Sequence, residues 1–230
     1  MNKPRTLHLK VFVETTGRHL AGWRHPDVDP LAPMRLTHYR QLIEIAERGL
    51  FDLFFLADGL AIRDRAAERL GRTPKAHLEP LTLLSALAPL TQHIGLIATA
   101  STTFNEPWHL ARKFASLDHL SDGRAGWNIV TSSSQAEADN FSLPQIPSAP
   151  DRYRRAQEFV GVVKDLWDSW DDDAIIADQQ QGGYFLPGRL HTVDHAGEFY
   201  QVRGPLTIAR PPQGHPLLVQ AGSSEEGIAL

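Results

Sequence analysis

The feature that most constrains this chain is a regular alternation between short apolar runs and longer stretches whose apolar residues recur at helical spacing. Five runs read as strands: Leu7 to Val13, Phe51 to Ala57, Ile94 to Ala100, Arg124 to Val130 and Pro216 to Ala221. Several are nearly continuous in apolar residues and bounded by turn residues such as Ser121-Asp122-Gly123, the pattern of strands buried on both faces of a parallel sheet. Between them, helices are expected over Met34 to Arg48, Glu79 to Leu90, Glu106 to Leu120 and Ser148 to Trp170. The third carries its stripe on Leu110, Phe114, Leu117 and Leu120, with Asn105 as the expected N-cap and Pro107 in the first turn. The start of the fourth, Ser148-Ala149-Pro150-Asp151, resembles a capping box. The order β-α-β-α-β-α-β-α-β implies right-handed crossovers and a parallel α/β sheet, either a barrel or a doubly wound fold.

Two segments interrupt the rhythm and read as insertions, Thr15 to Pro33 and Asp171 to Gln213, the second with a hairpin expected over Leu190 to Val202 that turns near His195-Ala196-Gly197. At 230 residues the chain reads as one domain. Apolar residues at 42% exclude a disordered chain, and the absence of cysteine excludes disulfides, thiolate metal sites and a cysteine nucleophile. With a net charge of -4 and scattered basic residues there is no footprint for nucleic acid; Arg154-Arg155 is expected to face solvent. No secretory signal and no run of about 18 apolar residues is present, so a soluble cytoplasmic protein is the expectation. His191 and His195 lie in the expected hairpin rather than on a helix, and Asp171-Asp172-Asp173 lacks the glycine of a calcium loop, so no metal site is expected. The five tryptophans are read as packing residues.

In parallel α/β folds ligands collect at the carboxyl ends of the strands. Here those ends run into Asp58, into Ser101-Thr102-Thr103, through Asn128 into Thr131-Ser132-Ser133-Ser134, and into Gly222-Ser223-Ser224. Hydroxyls and amides recur with no positive charge, which suits a neutral ring bearing carbonyls and amides; polar residues also simply begin loops and cap helices. Gly222-Ser223-Ser224 before a helix can cradle a phosphate, or Ser can be an ordinary N-cap with Glu225-Glu226 satisfying the helix dipole.

Several of these segments resemble one family. Phe51-Asp52-Leu53-Phe54-Phe55-Leu56-Ala57-Asp58, Glu79 to Ala88 and Ser101-Thr102-Thr103-Phe104-Asn105-Glu106-Pro107-Trp108 are similar to the bacterial luciferase-like flavin-dependent monooxygenases. Leu117 to Ser132, with Ser121-Asp122-Gly123-Arg124-Ala125-Gly126-Trp127-Asn128 at its centre, resembles the branch of nitrilotriacetate, EDTA, dibenzothiophene-sulfone and long-chain alkane monooxygenases; Arg152-Tyr153 and Gln220 to Ser224 agree. The departures are Ser142, where the branch usually has glycine after Asn140-Phe141, and Gln135 in a variable stretch.

The resemblance implies a TIM-like (β/α)8 barrel with insertions, here only its amino-terminal part with about five strands. It implies reduced FMN, supplied by a separate NAD(P)H:flavin reductase, which with dioxygen oxygenates a small organic substrate; further copies of the chain are expected partners. By matching position, Asp58, Thr102 or Thr103, Asn128 and Tyr153 would contact the isoalloxazine or ribityl region, with Ser132 and Ser133 as neighbours, and Gly222, Ser223 and Ser224 would hold the phosphate. No general base is assigned. A non-catalytic flavin-binding or partner subunit and a deazaflavin-dependent oxidoreductase on the same barrel remain alternatives. Five strands against the eight of a closed barrel lead to the expectation that the chain alone is incomplete.

Overall fold

In the computed structural model of the chain the described residues are 7–14, 16–19, 21–62, 76–222 and 224–230. Strands β1 (Lys10–Val13), β2 (Leu53–Leu56), β3 (Gly95–Ser101), β4 (Ala125–Val130) and, after two hairpins, β9 (Leu217–Val219) form one parallel sheet in the order β1-β2-β3-β4-β9. Neighbours in space are neighbours in sequence, with no reversal of strand order. That decides between the two architectures left open above, because a doubly wound sheet needs a switch point and a barrel does not.

Helices α1 (Leu36–Arg48), α2 (Pro80–Leu87), α3 (Pro107–Leu120) and α5 (Ala149–Trp167) contribute to one core with a single face of the sheet. Strand side chains alternate between faces. Phe54, Leu56, Leu96, Ala98, Trp127 and Ile129 therefore pack in the helix layer. Phe55, Ile97, Gly126 and Thr99 lie on the other face, where Phe12 and Leu217 at the rim are 42% and 45% exposed. Gly126 is required there: a Cβ would collide with the side chain of Ile97 and approach the Leu217 carbonyl oxygen at 3.1 Å.

The helices form close to where their periodicity places them, and their caps differ in chemistry. α3 starts at Pro107 with Glu106 as an N-cap that makes no side-chain bond. Asn105 is not the cap; its Nδ2 donates back to the Ser101 carbonyl at 2.8 Å and closes the end of β3. Glu79 caps α2, accepting from the amides of Leu81 and Thr82 at 2.9 and 2.7 Å. Ser148 caps α5 by accepting from the Asp151 amide at 3.3 Å, while its hydroxyl donates to the Asp151 carboxylate at 2.6 Å.

The motif Ser121-Asp122-Gly123-Arg124 builds the opposite end of the sheet from the ligand end. Asp122 and Gly123 take positive φ to turn α3 into β4. The Arg124 fork donates to Ser121 O, Thr91 Oγ1, Ile94 O, Ala88 O and Thr91 O at 2.6–3.1 Å, so every contact is structural.

The segment 171–213 folds as two hairpins, β5 (Ile175–Asp178) with β6 (Gly183–Phe185) and β7 (His195–Ala196) with β8 (Gln201–Val202). The first was not foreseen. The second exists, but its turn follows Ala196 and spans 197–200, because His195 and Ala196 are themselves paired to Val202 and Gln201. Arg155 does not face solvent as expected. Its Nε donates to the Tyr200 hydroxyl at 2.6 Å and its Nη1 to the Thr103 carbonyl at 3.3 Å, stitching this hairpin to the end of β3. The acidic turn is used in pairing: Asp171 accepts from Arg189 and His191, and Asp172 from Arg210. Trp108, Trp127, Trp167 and Trp170 each donate their indole N–H to a backbone carbonyl. No helix of the described residues is long and apolar enough to cross a membrane.

Candidate active site

The carboxyl ends of β2, β3 and β4 open on a cavity of about 250 Å3. Its wall includes Asp58, Thr99, Ser101, Asn105, Ser132 and Glu137. Thr99 and Asn128 are register partners on β3 and β4 and so project from the same face. Asn128 Nδ2 donates to Thr99 Oγ1 at 2.9 Å. Asn128 is 5% exposed, and its Oδ1 is buried with no hydrogen-bond partner among the described residues. A buried amide oxygen left without a donor costs about 1–3 kcal/mol.

Ser132 follows β4 with φ of 48°, a left-handed conformation that costs a non-glycine residue about 1–2 kcal/mol. The strain turns the chain at the cavity, where the Ser132 hydroxyl donates to Ser101 Oγ at 2.9 Å. The hydroxyls of Thr102 and Thr103 turn instead to carbonyls at and just past the end of β4, to Val130 O at 3.4 Å and Thr131 O at 2.6 Å. Both threonines are buried, and the hydroxyls that face the cavity at this level are those of Thr99 and Ser101. Ser133 is exposed.

The sequence showed no positive charge at the strand ends, but Lys113 brings one to the cavity along with three carboxylates. Asp58, Glu79, Glu137 and Lys113 all reach the cavity wall. Asp58 stands at the strand end where the sequence placed it; Glu79 comes from the cap of α2, Glu137 from the short helix α4 (Gln135–Ala138) and Lys113 from the side of α3, none of which the strand ends reveal. All three carboxylates have internal work: Glu79 caps α2, Asp58 accepts from the Gly59 amide at 2.8 Å and from His77 Nε2 at 3.2 Å, and Glu137 accepts from the Leu60 amide at 3.3 Å.

A second group of candidates lies together elsewhere. Tyr153 on α5 shares a shallow depression with Glu225 and Glu226 of the last helix, α6 (Glu225–Ala229). Ser224 caps that helix, accepting from the Gly227 amide at 3.1 Å, and the Gly222 amide donates to Gln220 Oε1. Ser223 lies outside the described residues. The structure thus gathers Asp58 and Ser132 at one cavity with Asn128 beside it, and gathers Tyr153 with the segment that follows β9.

Sequence reasoning named Ser101 among the strand-end hydroxyls but missed Thr99 and Glu137. Thr99 was findable, since it stands two residues before Ser101 on the same strand face. Glu137 lies on α4 (Gln135–Ala138), a turn too short for periodicity to show. It also missed the support behind β3. Burial pushes the Tyr200 phenol up to about 12 in spite of the Arg155 guanidinium beside it, so it remains a neutral donor, directed at Thr102 O at 3.5 Å. Among the described residues no group of three or more His, Cys, Asp or Glu could hold a metal ion.

Comparison with known proteins points one way. The family described as luciferase-like monooxygenase matches residues 15–230. N-acetyl-S-(2-succino)cysteine monooxygenase of Bacillus subtilis (strain 168) is 50% identical over all of this chain and 51% of its own length. A solved long-chain alkane monooxygenase superposes with a TM-score of 0.90 at 34% identity, over 98% of this chain and 54% of that one. A riboflavin lyase solved with modified FMN and riboflavin gives 0.87 at 35%, over 97% and 52%. The chain spans about half the length of the relatives it matches.

Proposed function

The chain belongs to the luciferase-like monooxygenase family, and from that premise we propose that it carries the flavin site of a two-component monooxygenase, one that uses reduced FMN from a separate reductase and dioxygen to oxygenate a small organic substrate. The observation that carries the proposal is the buried Oδ1 of Asn128, without a partner among the described residues, beside a cavity at the carboxyl ends of a parallel sheet. The residues fit a flavin: Asn128 supplies an acceptor for a ring N–H or ribityl hydroxyl, and Thr99, Ser101 and Ser132 supply hydroxyls at the same level. That a relative at 35% identity was solved with modified FMN supports the choice of cofactor.

When bound, reduced FMN supplies the oxygen-activating chemistry; the protein's part is to orient the ring and exclude water. Asn128, held by Thr99, fixes one edge of the ring, and Asp58 fixes the loop end of the site. Tyr153 is assigned to the ribityl side, and Gly222, Ser223 and Ser224 to the phosphate. The substrate is a small organic molecule. An N-acetylated S-(2-succino)cysteine is the first to try, because the 50% identical relative is named for it.

The test is oxygen consumption by the intact protein with FMN, NAD(P)H and a flavin reductase, with and without substrates drawn from succinylated thiols, sulfones, chelating amines and alkanes. Substrate-dependent uptake and an oxygenated product are expected. FMN binding without any turnover would replace the proposal by a non-catalytic flavin-binding role, and binding of a deazaflavin in preference to FMN would move the chain to the other chemistry of the barrel.

A further inference from the structure

The loop that carries Asp58 is held from the other side of the cavity. Leu60, two residues on, has both backbone groups engaged by the segment after β4: its amide donates to Glu137 Oε1 at 3.3 Å, and its carbonyl accepts from Asn140 Nδ2 at 2.8 Å. The gripping segment is itself braced. Gln135 Nε2 donates to Asp139 Oδ1 at 2.8 Å and to the Pro144 carbonyl at 3.2 Å, and its Oε1 accepts from the Ile146 amide at 2.9 Å. The Phe141 ring stacks on Phe104, 4.7 Å between centroids, which ties the segment to the end of β3. Glu137 is 1% exposed, so its carboxylate is held in place by burial as well as by its bonds.

Two contacts on the successive peptide units that flank one residue fix a loop differently from two contacts on separate side chains. A donor and an acceptor on either side of Leu60 set the orientation of its backbone, and with it the path of Asp58-Gly59, whose own amide is already turned into the Asp58 carboxylate. A carboxylate meant to meet a ligand at hydrogen-bond precision requires such support, since an error of about 1 Å in placement removes most of its effect. We infer that Glu137 and Asn140 are positioning residues that act through Leu60 to hold Asp58 at the cavity. The inference rests on the flavin-site reading for its consequence, but its structural content stands apart from it.

The experiment has two readouts on the intact protein. Amide hydrogen exchange at Gly59 and Leu60 reads the grip directly. Glu137→Ala and Asn140→Ala should each speed exchange at Leu60 by tenfold or more, whereas Glu137→Gln, which keeps an acceptor oxygen, should leave it near wild type. FMN titration reads the consequence: both alanine variants should weaken binding, Glu137→Gln should restore it, and neither alanine change should add to the loss caused by Asp58→Ala. Asn140 is exposed, so its variant remains informative if Glu137→Ala does not fold. Unchanged Leu60 exchange in Asn140→Ala, or Glu137→Gln behaving like Glu137→Ala in exchange, overturns the inference. Wild-type protein that fails to bind FMN sinks the flavin-site reading instead and leaves the exchange pattern to decide this one.

Discussion

Asn128 on β4 donates its amide N–H to the Thr99 hydroxyl on β3 at 2.9 Å, and the amide oxygen is buried with no hydrogen-bond donor among the described residues. The register explains it: Thr99 and Asn128 are directly paired, so the bond spans one strand gap and uses the nitrogen end of the amide. A side chain locked by a neighbour cannot turn its vacant oxygen toward water. In the proposed flavin site, pre-organisation of this kind would reduce the entropy cost of binding.

Asn128→Ala is therefore expected to weaken FMN binding by about 1–3 kcal/mol, the cost of leaving a buried donor of the ligand unpaired. Fluorescence titration of the folded variant measures it. An affinity equal to wild type would remove Asn128 from the site.

The phosphate assignment separates cleanly from the ring assignment. If Gly222, Ser223 and Ser224 hold a phosphate, FMN should bind at least about tenfold more tightly than riboflavin, the difference of a few charge-assisted hydrogen bonds. In the structure Ser224 caps α6 and the Gly222 amide is taken by Gln220, so binding must exchange these internal bonds for bonds to the ligand. Equal affinities would leave Ser224 as an N-cap and nothing more.

The one departure noted at Asn140-Phe141-Ser142 has a backbone meaning. Ser142 ends a short 3-10 turn with φ of 55° and ψ of 29°, the left-handed region that glycine enters freely and serine does not. Ser142→Gly should raise stability by up to about 1 kcal/mol, the strain relieved less the extra freedom glycine gains in the unfolded chain. Thermal denaturation at constant pH provides the check, and a destabilised variant would show that Ser142 contributes contacts that outweigh its strain.

The sequence made the sheet legible because parallel strands and their helices are governed by burial, and burial leaves a periodic trace. Leu96, Ala98, Trp127 and Ile129 could be assigned to a core from their spacing alone. Asn128 was legible for the same reason, as an amide within an apolar strand. Closing bonds between distant segments leave no such trace. Nothing in the neighbourhood of Arg155 says that it will meet Tyr200, 45 positions away, and nothing near Glu137 says that it will meet Leu60. The hairpin β5–β6 was missed for a related reason: Ile175, Ile176, Tyr184 and Phe185 are apolar yet partly exposed, so they do not alternate as a half-buried strand pair should.

The latch that joins α5 to the hairpin β7–β8 yields a pH prediction. Glu158 accepts from His195 Nε2 at 3.0 Å, from the Phe199 amide at 3.1 Å and from the Tyr200 amide at 2.8 Å. Burial alone would push its carboxyl up, but the His195 bond and the two amides outweigh burial and hold it below the usual carboxylate range. A depressed carboxyl stabilises the fold fully above its unfolded value of about 4.3, and that contribution is lost as pH falls through the lower folded value. Glu158→Ala removes the acceptor for two backbone amides and should cost about 1–3 kcal/mol near neutral pH. Glu158→Gln keeps an acceptor oxygen but cannot titrate, so the gap in melting temperature between wild type and this variant should be constant above about pH 5 and close as pH falls below about 4.3. Because Tyr200 passes the latch on through Arg155 to the Thr103 carbonyl, the alanine variant should also loosen the end of β3. Amide exchange after Ser101 reads that effect. A melting gap that stays fixed down to the acid transition would show that the charge on Glu158 contributes nothing to the latch.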